Sequence, residues 1–304
     1  MTSQLNAHFE NFPPPSPPAP RAARNAGLAA TRLALQLYAR VSPEKAGRMV
    51  HHMALKPSRL PMPSRYEYLL DTADSHTQLH HGSNTLPVYS WGEGPVVLGV
   101  HGWAGAGIQY GAWVEPLVQA GYRVVLFDAP AHGRAQGDST NLFEMADVTA
   151  KVANSVGRVH GVVAHSMGCL AVARAIADGL QVSYLAMLAP PVSLAAVMDN
   201  LGRQLGLTPS VLAVHLQLME ERFGKTLWDR LDLQTLSPSL THRGLIVIDN
   251  DDGSVSPEDS ERVANSWEQA AVLRTEGLGH HRLLWSPMVI ETVLRDLGRP
   301  VHTV

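Results

Sequence analysis

The sequence is poor in cysteine, in net charge and in long apolar runs, and each shortage excludes a class of protein. Cys169 is the single cysteine among 304 residues, which rules out an intrachain disulfide and a cysteine-based zinc cluster. The formal net charge of -3 gives no reason to expect nucleic acid or an anionic membrane as a partner. No run approaches the roughly 18 consecutive apolar residues of a membrane helix.

What the chain does have is apolar residues, which make up 45% of it against 17% charged residues. A chain of this length and composition can bury a sizeable core. Its first residues show no basic start followed by an apolar stretch, so we see no secretory signal. We therefore expect a cytoplasmic globular protein with no integral membrane segment, whose oligomeric state the sequence leaves open.

The first 75 residues divide into a proline-rich stretch and a helical stretch. Residues 1–20 are dense in proline, which opposes both helix and sheet, so we expect a disordered tail there. Residues 21–75 form a predicted N-terminal helical segment, which begins with an amphipathic helix and continues with a second helix signalled by Ser42 and Pro43. We interpret the arginines of the first helix as a solvated face and not as a membrane surface.

The rest of the chain alternates short apolar runs with helical stretches. Residues 76–81 and 86–91 predict a β-hairpin around a Gly-Ser-Asn turn. The apolar runs that follow are 95–100, 122–127, 161–165, 184–188, 244–248 and 270–275. Such strands, separated by helices, are typical of a mostly parallel sheet covered by helices on both faces. We therefore predict one α/β domain over residues 76–304, with the hairpin as its antiparallel edge.

Serine, aspartate and histidine follow the ends of three different predicted strands, in that order along the chain. Ser166 follows the run 161–165, DNDDGSV (249–255) follows 244–248, and EGLGHHR (276–282) follows 270–275. Reactive groups in an open parallel sheet lie in the loops after the carboxyl ends of the strands. We therefore expect these three loops to meet in one site.

These loops resemble those of the α/β-hydrolase family. AHSMG (164–168) is similar to the family's nucleophile elbow, G-x-S-x-G, with Ala164 in place of the first glycine. HGWAG (101–105) and DAPAHGRAQG (128–137) are similar to the oxyanion-hole loop and to the next strand-end loop. The resemblance runs from about Thr77 to the last helix, and it implies the α/β-hydrolase fold with a small helical cap.

The resemblance also implies a role for each site residue. Ser166 would be the nucleophile, His280 the base and Asp252 the acid, with the backbone N–H groups of Trp103 and Met167 as the oxyanion hole. A serine hydroxyl needs such a base at neutral pH, and a carboxylate orients the imidazole that serves as one. No cofactor and no metal is implied.

Neighbouring residues compete for two of these roles. Asp249 and Asp251 stand beside the expected acid, but the family spacing Asp-x-x-Val favours Asp252, so we expect the other two to cap or solvate the loop. His281 follows the expected base and is predicted to be a surface or packing residue. We expect His165, His132 and His101 to make structural hydrogen bonds, the last of them within the oxyanion loop, and Cys169 to pack in the helix after the elbow.

We therefore predict a serine hydrolase that cleaves carboxylic esters of short to medium acyl chains, with a small-molecule ester as its partner. A thioesterase, an acyltransferase or a peptidase with the same residues, and a non-catalytic binding protein of the same fold, remain alternatives. Residues 191–238 form the predicted cap, in which a helix after Thr208 and Pro209 carries Leu216, Leu218 and Met219. We expect that helix to form a wall of the acyl pocket. The alternative is that it packs as a further core helix.

Overall fold

The computed structural model describes residues 21–59 and 64–298, and a sheet of eight strands lies at its centre. The proline-rich stretch 1–20 lies outside the described residues. The strands are β1 (Ser75–His81), β2 (Asn84–Trp91), β3 (Val96–Val100), β4 (Arg123–Phe127), β5 (Val159–His165), β6 (Val182–Leu188), β7 (Arg243–Asp249) and β8 (Ala270–Thr275).

The strand order across the sheet is β1-β2-β4-β3-β5-β6-β7-β8. The hairpin β1–β2 is antiparallel and β2 runs antiparallel to β4, whereas the pairs from β4–β3 to β7–β8 are parallel. His81 pairs with Asn84, and Gly82 in the turn between them has a φ of +57°, which a glycine adopts without strain. The predicted mostly parallel sheet with an antiparallel N-terminal hairpin is confirmed.

Helices cover the sheet and extend its N-terminal side. The helices are α1 (Arg21–Val41), α2 (Pro43–Ala54), α3 (Ser64–Asp71), α4 (Gly111–Gln119), α5 (Leu142–Val156), α6 (Met167–Ala177), α7 (Leu194–Leu205), α8 (Pro209–Phe223), α9 (Leu227–Arg230), α10 (Leu233–Leu236), α11 (Pro257–Ser266), α12 (Gly279–Arg282) and α13 (Pro287–Leu297). The start signals work as the sequence predicts: the Ser42 hydroxyl accepts from the Lys45 N–H, and the Thr208 hydroxyl from the Val211 N–H.

The two faces of the sheet bury two separate apolar clusters, because successive side chains of a strand point to opposite faces. Val162 and Ala164 of β5 pack on one face with residues of α5 and α6, such as Val148 and Leu170. Val163 of the same strand packs on the other face with residues of α4 and α13. Burial on both faces explains why these strands are continuous apolar runs in the sequence.

A third apolar cluster joins the two N-terminal helices to the cap. Leu35 of α1 and Val50 of α2 are buried against Leu205 of α7 and Val211 of α8. The helices α2 and α8 approach so closely that a Cβ on Gly47 would lie 2.5 Å from Cβ of Val214. The N-terminal helical segment therefore packs on the cap helices. Within the ranges described, no helix has both the length and the apolar character needed to cross a membrane.

Candidate active site

The serine of the AHSMG motif stands at a sharp turn between β5 and α6. Ser166 directly precedes the first residue of α6. Its φ of 53° and ψ of -127° are a backbone conformation that residues other than glycine rarely adopt. The turn brings two backbones together, since a Cβ on Gly168 would lie 2.6 Å from the carbonyl oxygen of His101. Ala164, which replaces the first glycine of the motif, is completely buried. This position therefore tolerates a methyl group.

The side chains of Ser166, His280 and Asp252 form a hydrogen-bonded row. Nε2 of His280 lies 3.0 Å from Oγ of Ser166, and Nδ1 of the same ring lies 2.8 Å from Oδ2 of Asp252. The other carboxylate oxygen of Asp252 accepts the N–H groups of Ser254 and Val255 at 2.8 and 2.9 Å. The carboxylate is therefore held in place on one side and faces the imidazole on the other.

Asp249, which the sequence predicts to cap or solvate the loop, is instead buried at the end of β7 and anchors the segment that carries His280. Its carboxylate accepts four hydrogen bonds, from the N–H groups of Asp251, Leu278 and Gly279 and from the Thr275 hydroxyl. Burial raises the pKa of Asp249, but these hydrogen bonds outweigh it and hold the pKa below its usual value. Asp249 therefore remains a carboxylate that ties β7 to the loop after β8.

His165 supports the same segment from the opposite side. Its Nε2–H donates to the carbonyl oxygen of His280 at 2.8 Å, and the two rings lie 4.6 Å apart. Burial, and then the proximity of His280 and His281, lower the pKa of His165 well below its usual value, so the ring is neutral. His281 is exposed and packs edge-on against the His280 ring. The hydrogen-bonded core role predicted for His165 is confirmed.

The HGWAG loop after β3 is fixed by hydrogen bonds to the loop after β4. His101 donates from Nδ1 to the Gly102 carbonyl and accepts the Ala129 N–H at Nε2, which matches its predicted structural role. Asp128 accepts the Gly107 N–H at 2.8 Å. His132 donates to the Pro130 carbonyl, and its ring stands edge-on to the Trp103 indole at 5.3 Å. Because burial lowers the pKa of His132 to about 3, this ring is neutral as well.

A narrow and partly open apolar cavity, with about 30 Å³ of space for the centres of water-sized spheres, lies beside the turn at Ser166. Trp103 and Met167, the two residues expected to supply the oxyanion hole, contribute to its wall. Met219 and Phe223 of α8 form another part of the wall, so the cap helix does face this cavity. Leu216 packs instead against the main core, and Leu218 is half-buried outside the cavity lining as described.

The sequence reasoning missed two contributions of the N-terminal segment. Ala54 and Leu55, at the end of α2, line the same cavity. The guanidinium of Arg59 donates to the carbonyl oxygens of Gly133, Ala135 and Gly137, and so holds the loop after β4. No local motif marks these residues, because their partners lie 74 to 78 positions further along the chain or in the cap. Cys169 is buried in α6, as predicted.

No set of three or more histidine, cysteine, aspartate or glutamate side chains within residues 21–59 and 64–298 is arranged to hold a metal ion.

The model of the alpha/beta hydrolase family matches residues 96–291, a span that includes Ser166, Asp252 and His280. No curated protein matches the sequence.

Many solved structures share the fold at low sequence identity. An esterase of Pyrococcus furiosus is 19% identical, with 80% of this chain and 98% of that chain covered at a TM-score of 0.58. A putative lipase of Acinetobacter baumannii is 15% identical, with 79% and 98% covered at 0.59. The thioesterase domain from the curacin biosynthetic pathway is 19% identical, with 73% and 98% covered at 0.53. Identities this low carry information on the fold alone.

Proposed function

Since the chain belongs to the alpha/beta hydrolase family, we propose that it is a serine hydrolase that cleaves carboxylic esters of short to medium acyl chains. The observation that carries this proposal is the hydrogen-bonded row Ser166–His280–Asp252, with the serine in a strained turn at the start of a helix. A serine that only capped the helix would need neither partner. The proposed assignment of roles is the nucleophile, the base and the acid, respectively.

The reaction proceeds through an acyl-enzyme in this proposal. Oγ of Ser166 attacks the ester carbonyl carbon while its proton passes to Nε2 of His280. The resulting oxyanion accepts hydrogen bonds from the backbone N–H groups of Trp103 and Met167, each worth roughly 3 kcal/mol in such sites. The C–O bond to the alcohol then breaks, and the alcohol leaves with the proton from His280. Water, deprotonated by the same imidazole, then attacks the acyl carbon; the bond between that carbon and Oγ breaks, and His280 returns the proton to Oγ, which releases the acid and free Ser166.

The apolar cavity supports an acyl chain as the bound group. Its wall is formed by side chains such as Met198, Met219 and Phe223, and by Trp103 beside the serine. Asn141 has the one amide side chain among the residues that line the cavity. Its Oδ1 already accepts a hydrogen bond from the Glu144 N–H at 3.0 Å. A charged or sugar-like group would lose its hydration there and gain at most the NH₂ group of Asn141 and the indole N–H of Trp103 as polar partners.

The first test is covalent labelling of the purified protein with a fluorophosphonate, which reacts with an activated serine. We expect the wild type to label and Ser166→Ala not to label, with an unchanged melting temperature. Ser210→Ala is the matched control, because Ser210 is exposed on the cap helix, and it should label like the wild type. Failure of the wild type to label would favour a non-catalytic binding protein of this fold.

The second test distinguishes ester hydrolysis from thioester hydrolysis and from acyl transfer. A series of p-nitrophenyl esters and the matching acyl thioesters would be compared by kcat/KM with the same protein. We expect esters to be preferred and the profile over chain length to be peaked, because one methylene in an apolar pocket is worth roughly 1–3 kcal/mol. A preference for thioesters, or for transfer to an added alcohol over hydrolysis, would replace esterase by thioesterase or acyltransferase.

A further inference from the structure

The first helix of the chain exposes an apolar stripe on the side that faces away from the protein. Leu35 and Ala39 of α1 are buried against α2 and the cap. On the opposite side Leu33 is 57% exposed, Leu37 51% and Val41 82%. These three residues recur every four positions, so they form one continuous stripe along the helix. An amphipathic helix that packs on a protein core normally has polar residues on its solvent-facing side. Packing on the cap therefore does not account for the leucines and the valine exposed on that side of α1.

Basic residues outnumber acidic residues in the segment that carries this stripe, although the protein as a whole is acidic. Residues 21–59 contain eight lysines and arginines and a single acidic residue, Glu44, in a chain of net charge -3. Arg40 and Lys45 are exposed on either side of the turn that follows Val41. The helix α2 also exposes Met49 and Met53, at 37% and 41%. The positive charge and the exposed apolar surface are therefore concentrated in the same two helices.

The sequence alone predicts only a solvated face for the arginines of α1, but on the strength of the exposed stripe we infer that α1 and α2 dock the protein on the surface of an anionic lipid bilayer. The stripe Leu33, Leu37 and Val41 enters the boundary between headgroups and acyl chains, while Arg40 and Lys45 contact lipid phosphates. A symmetric dimer through this face would bring two positively charged segments together, so the local excess of positive charge favours a bilayer over a second copy of the chain. This binding goes beyond the proposed hydrolysis and requires no chemistry. The helix α2 ends at Ala54 and Leu55 in the wall of the apolar cavity, so docking brings that cavity close to the lipid.

The test is flotation of the full chain with vesicles of phosphatidylcholine alone or mixed equally with phosphatidylglycerol. We expect binding to the mixed vesicles, weakened by high salt because exposed charges are screened. The double variant Leu33→Glu with Leu37→Glu should bind about tenfold more weakly or worse, since each leucine contributes its burial in lipid. Arg40→Gln with Lys45→Gln should lose about tenfold or more in low salt.

The matched control is Val272→Glu with Met288→Glu, which places the same charges on exposed apolar residues of β8 and α13. It should bind vesicles like the wild type, and melting curves should verify that all variants are folded. Equal binding by the leucine variant and the wild type would overturn the inference. A dimer in sedimentation that the leucine variant abolishes, without vesicle binding, would also overturn it and assign the stripe to a second copy.

Discussion

Replacing Asp249 by asparagine tests whether this carboxylate, and not only the row at Ser166, holds the site together. Oδ1 accepts the Gly279 N–H at 2.8 Å and the Asp251 N–H at 3.0 Å, and Oδ2 accepts the Thr275 hydroxyl at 2.7 Å and the Leu278 N–H at 3.1 Å. An asparagine keeps one oxygen and presents an NH₂ group in place of the other. The Thr275 hydroxyl can rotate and accept a hydrogen bond from that NH₂ group. The Leu278 N–H is only a donor, so it would face the NH₂ group without an acceptor.

The cost follows from these contacts. One buried N–H without a partner costs about 1–3 kcal/mol, and the two bonds that remain lose the contribution of the negative charge, about 1 kcal/mol each at most. We expect Asp249→Asn to lower the free energy of unfolding by about 3 kcal/mol at pH 7, measured by urea denaturation. Because Gly279 precedes His280, fluorophosphonate labelling of Ser166 should also slow down.

Asp251→Asn is the control, because its carboxylate accepts only the exposed N–H of Gly277 among the bonds described, and it should cost under about 1 kcal/mol. The pH dependence is a second check. The pKa of Asp249 is lower in the folded than in the unfolded protein, so its stabilisation is complete above the usual carboxyl pKa and is lost as the pH falls below it. The difference between wild type and variant should therefore shrink below about pH 4. A loss equal to that of Asp251→Asn would refute the reasoning.

Three further predictions concern other parts of the site and the cap. Asp252→Asn should lower ester turnover roughly ten-thousandfold, whereas Asp251→Asn should retain most of it, as steady-state kinetics would show. Met219→Ala should move the preferred acyl chain to greater length, and Leu218→Ala, outside the cavity lining, should leave the ester profile unchanged. Burial lowers the pKa of His215 to about 4, so the wild type should lose stability as the pH falls from 6.5 towards 4. His215→Leu should show a shallower loss in urea denaturation over that range, and identical slopes would contradict the assignment.

The sequence by itself determined the sheet and the positions of the candidate site residues along it. A parallel strand buried on both faces is apolar at nearly every position of its middle part, so β3 and β5 to β7 stand out as continuous runs. The residues that follow those runs and β8 lie at one edge of the sheet by topology alone, and this placed the loops of Ser166, Asp252 and His280 together. Such inferences succeed because each depends on a short stretch of chain.

Only the tertiary structure decided how the neighbours of these residues are used. Asp249 at the end of β7 and Asp252 in the following loop are three positions apart, and the sequence does not show which carboxylate faces His280 and which binds Leu278 and Gly279. The assignment of Asp252 rested on a family spacing. The two roles differ in the direction of a side chain, which depends on the path of the loop after β8.

The tertiary structure also decided which face of the N-terminal helix α1 is buried. Helical periodicity in residues 21–41 predicts an amphipathic helix, but leucine occurs on two opposite faces of it, at Leu35 and at Leu37. Which face packs depends on the cap helices, whose contacting residues Leu205 and Val211 lie more than 150 positions away. The sequence therefore specified that α1 forms, while long-range packing decided that Leu33, Leu37 and Val41 are exposed and that α2 ends at the cavity.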